Sequence, residues 1–455
     1  MKFRNALIGI GIVAAASVSI SSCIKVDISD DVVVSDTTGT NAPSSVIEGT
    51  IDKSVTLPKG KYTLKGYVYV NNNATLTIEA GSVIMSDVTE KGALIIERGS
   101  KLIADGRADQ PIVFTSGKAS GQRNAGDWGG IILLGKAPTN RPTNPPPVIE
   151  GGVNRTYGGT EPTDNSGILR YVRIEFSGIA AEPNSEINGL TLGGVGSGTI
   201  IENVQVSYGA DDGFEFFGGT VNAKNLISFA TYDDDYDFDF GYVGKIQYAV
   251  SLRDKPADTD QANGIECDND GSGTAATPFT KPQLSNLTLI GPYDTTGSAS
   301  THGFSNRWRR ATRFVLRNSI LMGHRKAGFS LEDAGTATGY LNNESEFKNN
   351  IVAVYTKPYF AGNAAAATVM TDAQIQAKAE ADGSTTLANR EGVQLTDPFN
   401  LTNPNFLPKA GSPALTGVNF TGMDAFFTVT TYRGAFGTTN WAQGWTSFSP
   451  KTNSY

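Results

Sequence analysis

The chain has 455 residues and a formal net charge of −8 at pH 7, with 52 glycines, 20 prolines and two cysteines. The acidic balance argues against a nucleic-acid or anionic-membrane surface, and two cysteines exclude a disulfide framework. Abundant glycine, with plentiful Val, Ile, Thr, Asn and Asp and few helix-forming windows, predicts an all-β fold with many turns.

Lys2 and Arg4 precede an apolar stretch from Ala6 to Ile20 and a small-residue site, Ile20-Ser21-Ser22-Cys23. That order reads as a signal peptide over residues 1–22. The stretch is too short to cross a hydrocarbon core of roughly 30 Å. Its end resembles the bacterial lipobox, which implies cleavage before Cys23 and lipid on that cysteine as the membrane anchor. Cys267 is then left without a disulfide partner, and loss of Lys2 and Arg4 takes the charge to about −10. Residues 23–50 are polar, with Asp27, Asp30, Asp31 and Asp36, and read as a flexible tether.

Residues 51–400 carry internal repeats. Glu79 with Gly81 recurs as Glu97 with Gly99, 18 residues on; Gly189, Gly213 and Tyr236 open apolar segments that recur every 22 to 24 residues. Short alternating strands broken by Gly or Asn turns, with no helices between them, predict a right-handed parallel β-helix. Propeller blades need about twice that period. The Pro-rich segment 136–154, the Gly/Ser/Thr-rich segment 268–281 and the segment 361–383 read as inserted loops. The last of these contains a helix capped by Thr371 or Asp372 and running to Ala381. Residues 401–455 leave the repeat and end in aromatics, including Trp441 and Trp445, as a C-terminal cap would.

Gly126-Asp-Trp-Gly-Gly130-Ile-Ile-Leu-Leu-Gly135-Lys-Ala137, Ala210-Asp-Asp-Gly-Phe-Glu-Phe-Phe-Gly-Gly219 and the closing Tyr432-Arg-Gly-Ala-Phe436 resemble a family of β-helical lipoproteins of the Bacteroidota. The resemblance implies an outer-membrane address, on the periplasmic or the cell-surface face. It implies no particular reaction.

Two stretches carry candidate chemistry. Asp211, Asp212, Glu215, Asp233, Asp234, Asp235, Asp237 and Asp239 crowd successive coils, with Phe214, Phe216, Phe238 and Phe240 expected inside. Carboxylates about 5 Å apart repel by roughly 3 kcal/mol at an effective dielectric near 20. Calcium would relieve that; so would raised pKa values, splayed side chains or nearby arginines. A basic stretch follows, in which His302, Arg307, Trp308 and Arg309 are candidates to bind an acidic glycan, Trp308 by stacking. The same arginines could instead neutralise the acidic coils. Catalytic residues cannot be assigned. The acidic pairs and His302 are loosely similar in order to polygalacturonases, without their motifs, and Arg253 or Arg307 could act as a lyase base by analogy of fold alone. The expectation is a lipid-anchored, non-catalytic envelope protein that binds a glycan or another ligand, or supports an outer-membrane transporter. A polysaccharide lyase or glycoside hydrolase using calcium is the alternative.

Overall fold

A computed structural model describes residues 45–182, 185–259, 261–293 and 296–455; Cys23 and the leader lie outside them. Among the described residues, 26 strands form one sheet with parallel pairing, wound into a parallel β-helix, and two short antiparallel pairs lie outside it. Residues 45–50, expected in the tether, belong to its first coil, because Ser45–Ile51 pairs with Lys61–Val70.

Three columns of strands make the walls. In one, Leu169, Ile201, Ala223, Ile246, Leu284 and Leu316 stack in register. In another, Leu192, Phe216, Phe238, Cys267, Trp308 and Leu331 do the same. Coils rise by about 4.8 Å, so like side chains meet through the core. Phe216 and Phe238 stack at 5.0 Å and Trp308 lies 4.3 Å from Phe314. Each large side chain so buried contributes about 1.5–3 kcal/mol.

The 22-to-24-residue period is that of the coils, since Leu190 pairs with Phe214 and Phe214 with Tyr236. The 18-residue repeat is not. Leu76 pairs with Leu102, and Leu94 pairs with Val68 and Ile131. What recurs there is a strand-to-glycine turn used at two corners, with φ of +81° at Gly81 and +92° at Gly99. Another corner is made by left-handed Asn203, Asn225, Asn286 and Asn318, at φ of 54° to 59°. Asparagine tolerates that region better than other residues with a Cβ.

The insertion 136–159 does not project freely. Ile149, Val153 and Tyr157 are buried against Ile132, Leu134, Ile187 and Phe217, covering the outer face of the early coils. The helix Asp372–Ala381 forms as expected, with a Thr371–Gln374 capping box. Its Ile375 and Ala379 enter the main core, together with Tyr340 of the helix Ala334–Leu341. The apolar side chains of those helices join the interior core, whereas the aromatic tail packs in a separate cluster.

The aromatic cap is lateral. From Ser412 onward the chain runs back along the flank as a strap. Arg433 bonds Asn350 O, Asn286 Nδ2 donates to Tyr432 O at 2.9 Å, Gln205 holds Ser447, and Arg123 donates to Pro450 O and Asn453 O. Trp441 and Trp445 belong to a second apolar cluster between strap and coils.

Candidate functional site

The outward positions that alternate with the Phe216 ladder change character along the axis. Ile95 and Ile132 are apolar beneath the insertion; Thr191 follows; then Glu215, Asp237 and Glu266 stack in register, and Arg307 succeeds them. Parallel in-register pairing places like side chains above one another, so carboxylates spaced by one coil in sequence are forced together.

Asp212, Glu215 and Asp237 each bring a carboxylate oxygen within 4.8 Å of the others; Asp211, Asp212 and Asp233 form a second such group, sharing Asp212. Burial first, and mutual repulsion after it, holds all five well above the usual carboxylate range. Asp234 and Asp239 are raised likewise, again chiefly by burial. Backbone donors occupy part of this belt: Asp212 accepts from Asp234 N–H at 2.8 Å, Asp234 from Asn263 N–H, and Asp239 from Phe240 N–H at 2.9 Å.

At this belt the buried oxygens Asp237 Oδ1 and Asn188 Oδ1 have no hydrogen-bond donor among the described residues. Asn188 is fully buried and donates through Nδ2 to Glu215 Oε2. Turning that amide over would set its oxygen against the carboxylate, an arrangement that requires a cation or a proton between them. Orphaned buried acceptors are costly. Oxygen donors alone, several of them charged, are the set a hard divalent cation takes, so the residues present fit calcium.

Asp235 does not belong to the belt. It points inward and is fully buried, paired with Arg253 at 2.9 Å and accepting from Ser228 and Thr231 hydroxyls at 2.7 and 2.8 Å. Arg253 also donates to Asn263 O at 2.8 Å and to His302 Nδ1 at 3.3 Å. His302 Nε2 is 3.0 Å from Lys255 O, so its Nδ1 accepts and its Nε2–H donates. Burial, reinforced by Arg253, lowers the His302 pKa to about 3. His302 is therefore a neutral internal brace and offers nothing to a ligand. Phe240 also departs from expectation, lying outside the core and stacking on Phe217 at 6.0 Å.

Trp308 is 0% exposed in the inner ladder, so it cannot serve as a stacking platform. The alternation that turns Arg307 and Arg309 outward turns the tryptophan in. Arg307 contacts Glu266 and Glu332, both at 2.8 Å; Arg309 reaches Glu266 at 2.6 Å and grips Asp268 at 2.7 and 2.9 Å; Arg310 reaches Asp268 at 2.6 Å. They neutralise the lower end of the acidic column and line an open cleft of about 390 Å³ with Ser272, Asp333 and Asn363. Neither Arg253, buried and paired, nor Arg307, held by two glutamates, is free to act as a base.

Residues 49–446 match the family model described as a pectate-lyase like beta helix domain. The chain belongs to this family. Among solved structures, this pectate-lyase-like β-helix is similar to the crystal structure of pectate lyase Pel9A, at 11% identity over 88% of this chain and 89% of that one, with a TM-score of 0.35. No curated protein matches the sequence. Membership places the coils; the chemistry has to be argued from the side chains they carry. Sequence reasoning missed Asn188, Glu266 and Asp268. For Glu266 the signal was hidden by the longer coil between Asp239 and Ile265, which breaks the 22-residue spacing. For Asn188 the signal was its place one residue before the Gly189 segment.

Proposed function

We propose that this β-helix is a non-catalytic, lipid-anchored envelope protein that binds an acidic polysaccharide through a divalent cation, calcium by its chemistry. The observation that carries this reading is the group Asp212, Glu215 and Asp237, within 4.8 Å of one another, beside the orphaned Asn188 and Asp237 oxygens. Bare, the belt repels an anionic ligand. A bound divalent cation would supply positive charge there and accept the ligand's carboxylate as a further oxygen donor. Asp212, Glu215 and Asp237 would hold it, with Asn188 fixing Glu215.

A polysaccharide lyase is the second reading, favoured by the family. Against it stands the engagement of Arg253 and Arg307. Incubating the protein with calcium and a panel of polygalacturonate, alginate and chondroitin sulfate separates the two. The binder retains at least one polymer, only in calcium, and releases no unsaturated products; accumulation of unsaturated ends would replace it with the lyase. Attachment at Cys23 and an outer-membrane address belong to the same reading and rest on the leader sequence. Cys23→Ala should lose acyl labelling, and labelled palmitate still taken up by that variant would place the anchor elsewhere.

A further inference from the structure

The positively charged side chains nearest the belt are mostly spent. Arg307, Arg309 and Arg310 are each committed to Glu266, Asp268 or Glu332. Arg141 differs. It is exposed, and among the described residues its guanidinium makes no ion pair and donates no hydrogen bond. Even so, it is not left to wander. Its Cζ lies 4.6 Å over the Phe240 ring, and Phe240 stacks on Phe217, 6.0 Å away with 16° between the planes. The loop that carries it is pinned to the same coil: Asn140 N–H donates to Phe240 O at 2.9 Å, Asn140 Nδ2 donates to Asn269 O at 2.7 Å, and Arg141 N–H donates to Thr139 Oγ1 at 3.1 Å.

This platform borders the acidic column. Phe240 directly follows Asp239 and donates its N–H to that carboxylate. Burial raises the Tyr157 hydroxyl first, and after it Arg141 opposes, and Asp239, Glu215 and Glu150 reinforce, that shift. Along the strand, Phe240 is three residues from Asp237, roughly 10 Å. A guanidinium stacked flat on an aromatic ring keeps its N–H edge free, and it has already lost much of the freedom that binding would remove. The contact with Phe240 orients this guanidinium beside a belt of carboxylates and leaves its N–H donors unspent among the described residues.

We infer that Arg141 is the specificity-determining residue that grips an acidic group of the bound polysaccharide, carboxylate or sulfate, while a neighbouring acidic group is held by the cation at Asp212, Glu215 and Asp237. This rests on the proposed function and adds to it: the ligand carries at least two acidic groups, and affinity for neutral glycans is negligible because neither contact can form. The Pro-rich insertion thereby gains a role beyond covering the early coils, since it delivers the second contact.

The test compares wild type, Arg141→Ala and Arg141→Lys in the full chain. It measures affinity for polygalacturonate, alginate and chondroitin sulfate in calcium, and separately the calcium-induced shift in melting temperature without polymer. Loss of a charge-assisted bidentate contact should weaken the preferred polymer about tenfold or more in Arg141→Ala. The calcium shift should stay at its wild-type value, and Arg141→Lys should fall between the two. Unchanged affinity in Arg141→Ala, with the calcium shift intact, overturns the role of Arg141 and leaves the cation site standing. A wild type without a calcium shift or polymer binding overturns the functional reading together with this one.

Discussion

Glu215→Gln should stabilise the protein without calcium and lose most or all of that advantage with it. With the three carboxylates of the Asp212, Glu215 and Asp237 group within 4.8 Å, each ionised pair costs about 3.5 kcal/mol at an effective dielectric near 20. Partial protonation already relieves some of this, so neutralising Glu215 in EDTA at about pH 8 should stabilise the protein by about 1–3 kcal/mol. The Asn188 amide keeps an acceptor in the new side chain. In calcium that advantage shrinks. A native-state ligand at a hundredfold excess over its Kd contributes about 2.7 kcal/mol, and at an excess of one only about 0.4; a variant that weakens the site a hundredfold therefore forgoes about 2.3 kcal/mol, which takes its lead of about 1–3 kcal/mol in EDTA to between about 1.3 kcal/mol behind and about 0.7 kcal/mol ahead in calcium. For roughly 400 folded residues at about 2.1 cal/mol/K each, 1 kcal/mol moves the midpoint by about 1 °C. Scanning calorimetry of both proteins in both buffers reads the four values. Equal destabilisation in EDTA and in calcium would mean that Glu215 is merely the hydrogen-bond partner of Asn188, and the cation site would be lost.

The calcium-induced shift in melting temperature should grow between about pH 5 and pH 8. Native carboxyls raised by burial hold protons more tightly than unfolded ones, near pKa 4, so their contribution is lost as pH rises and protons compete with the cation at the acid end; comparing buffers at each pH cancels the opposite trend from buried, neutral His302, and a shift independent of pH would contradict the site. Trp308→Ala should cost about 3–5 kcal/mol in chemical denaturation, as a core truncation does, while polymer affinity per folded molecule is unchanged; selective loss of binding would restore its role as a platform. Asn286→Ala removes donations to Thr430 Oγ1, Tyr432 O and Gly434 O at a left-handed corner, and should raise amide exchange across residues 426–436 without affecting the acidic coils.

The coil period was legible because strict register demands it: Phe214 and Tyr236, or Asn203 and Asn225, announce a stacked pair wherever no loop intervenes. The outward aim of Glu215 and Asp237 followed from alternation. The same alternation would have sent Trp308 inward beside outward Arg307 and Arg309, and its composition, rather than its parity, suggested a platform. The burial of His302 against Arg253 was illegible, because the two meet across a corner and 49 residues of chain. Nothing local marks Arg141 either. It becomes conspicuous only when the ring beneath it and the pairing of the other arginines are both known.

The strap has a consequence for how the protein assembles. In a bare solenoid each coil touches only its neighbours, so the array can fray or grow from either end. Here Arg123 bonds Pro450, 327 residues away, and Tyr455 bonds Glu175, 280 residues away. A nascent chain can stack coils as they emerge, but those latches cannot close until residues 450–455 have been made and turned back on the early coils. A chain cut short of these residues keeps every paired coil yet leaves buried Glu175 without the tyrosine hydroxyl that it accepts from.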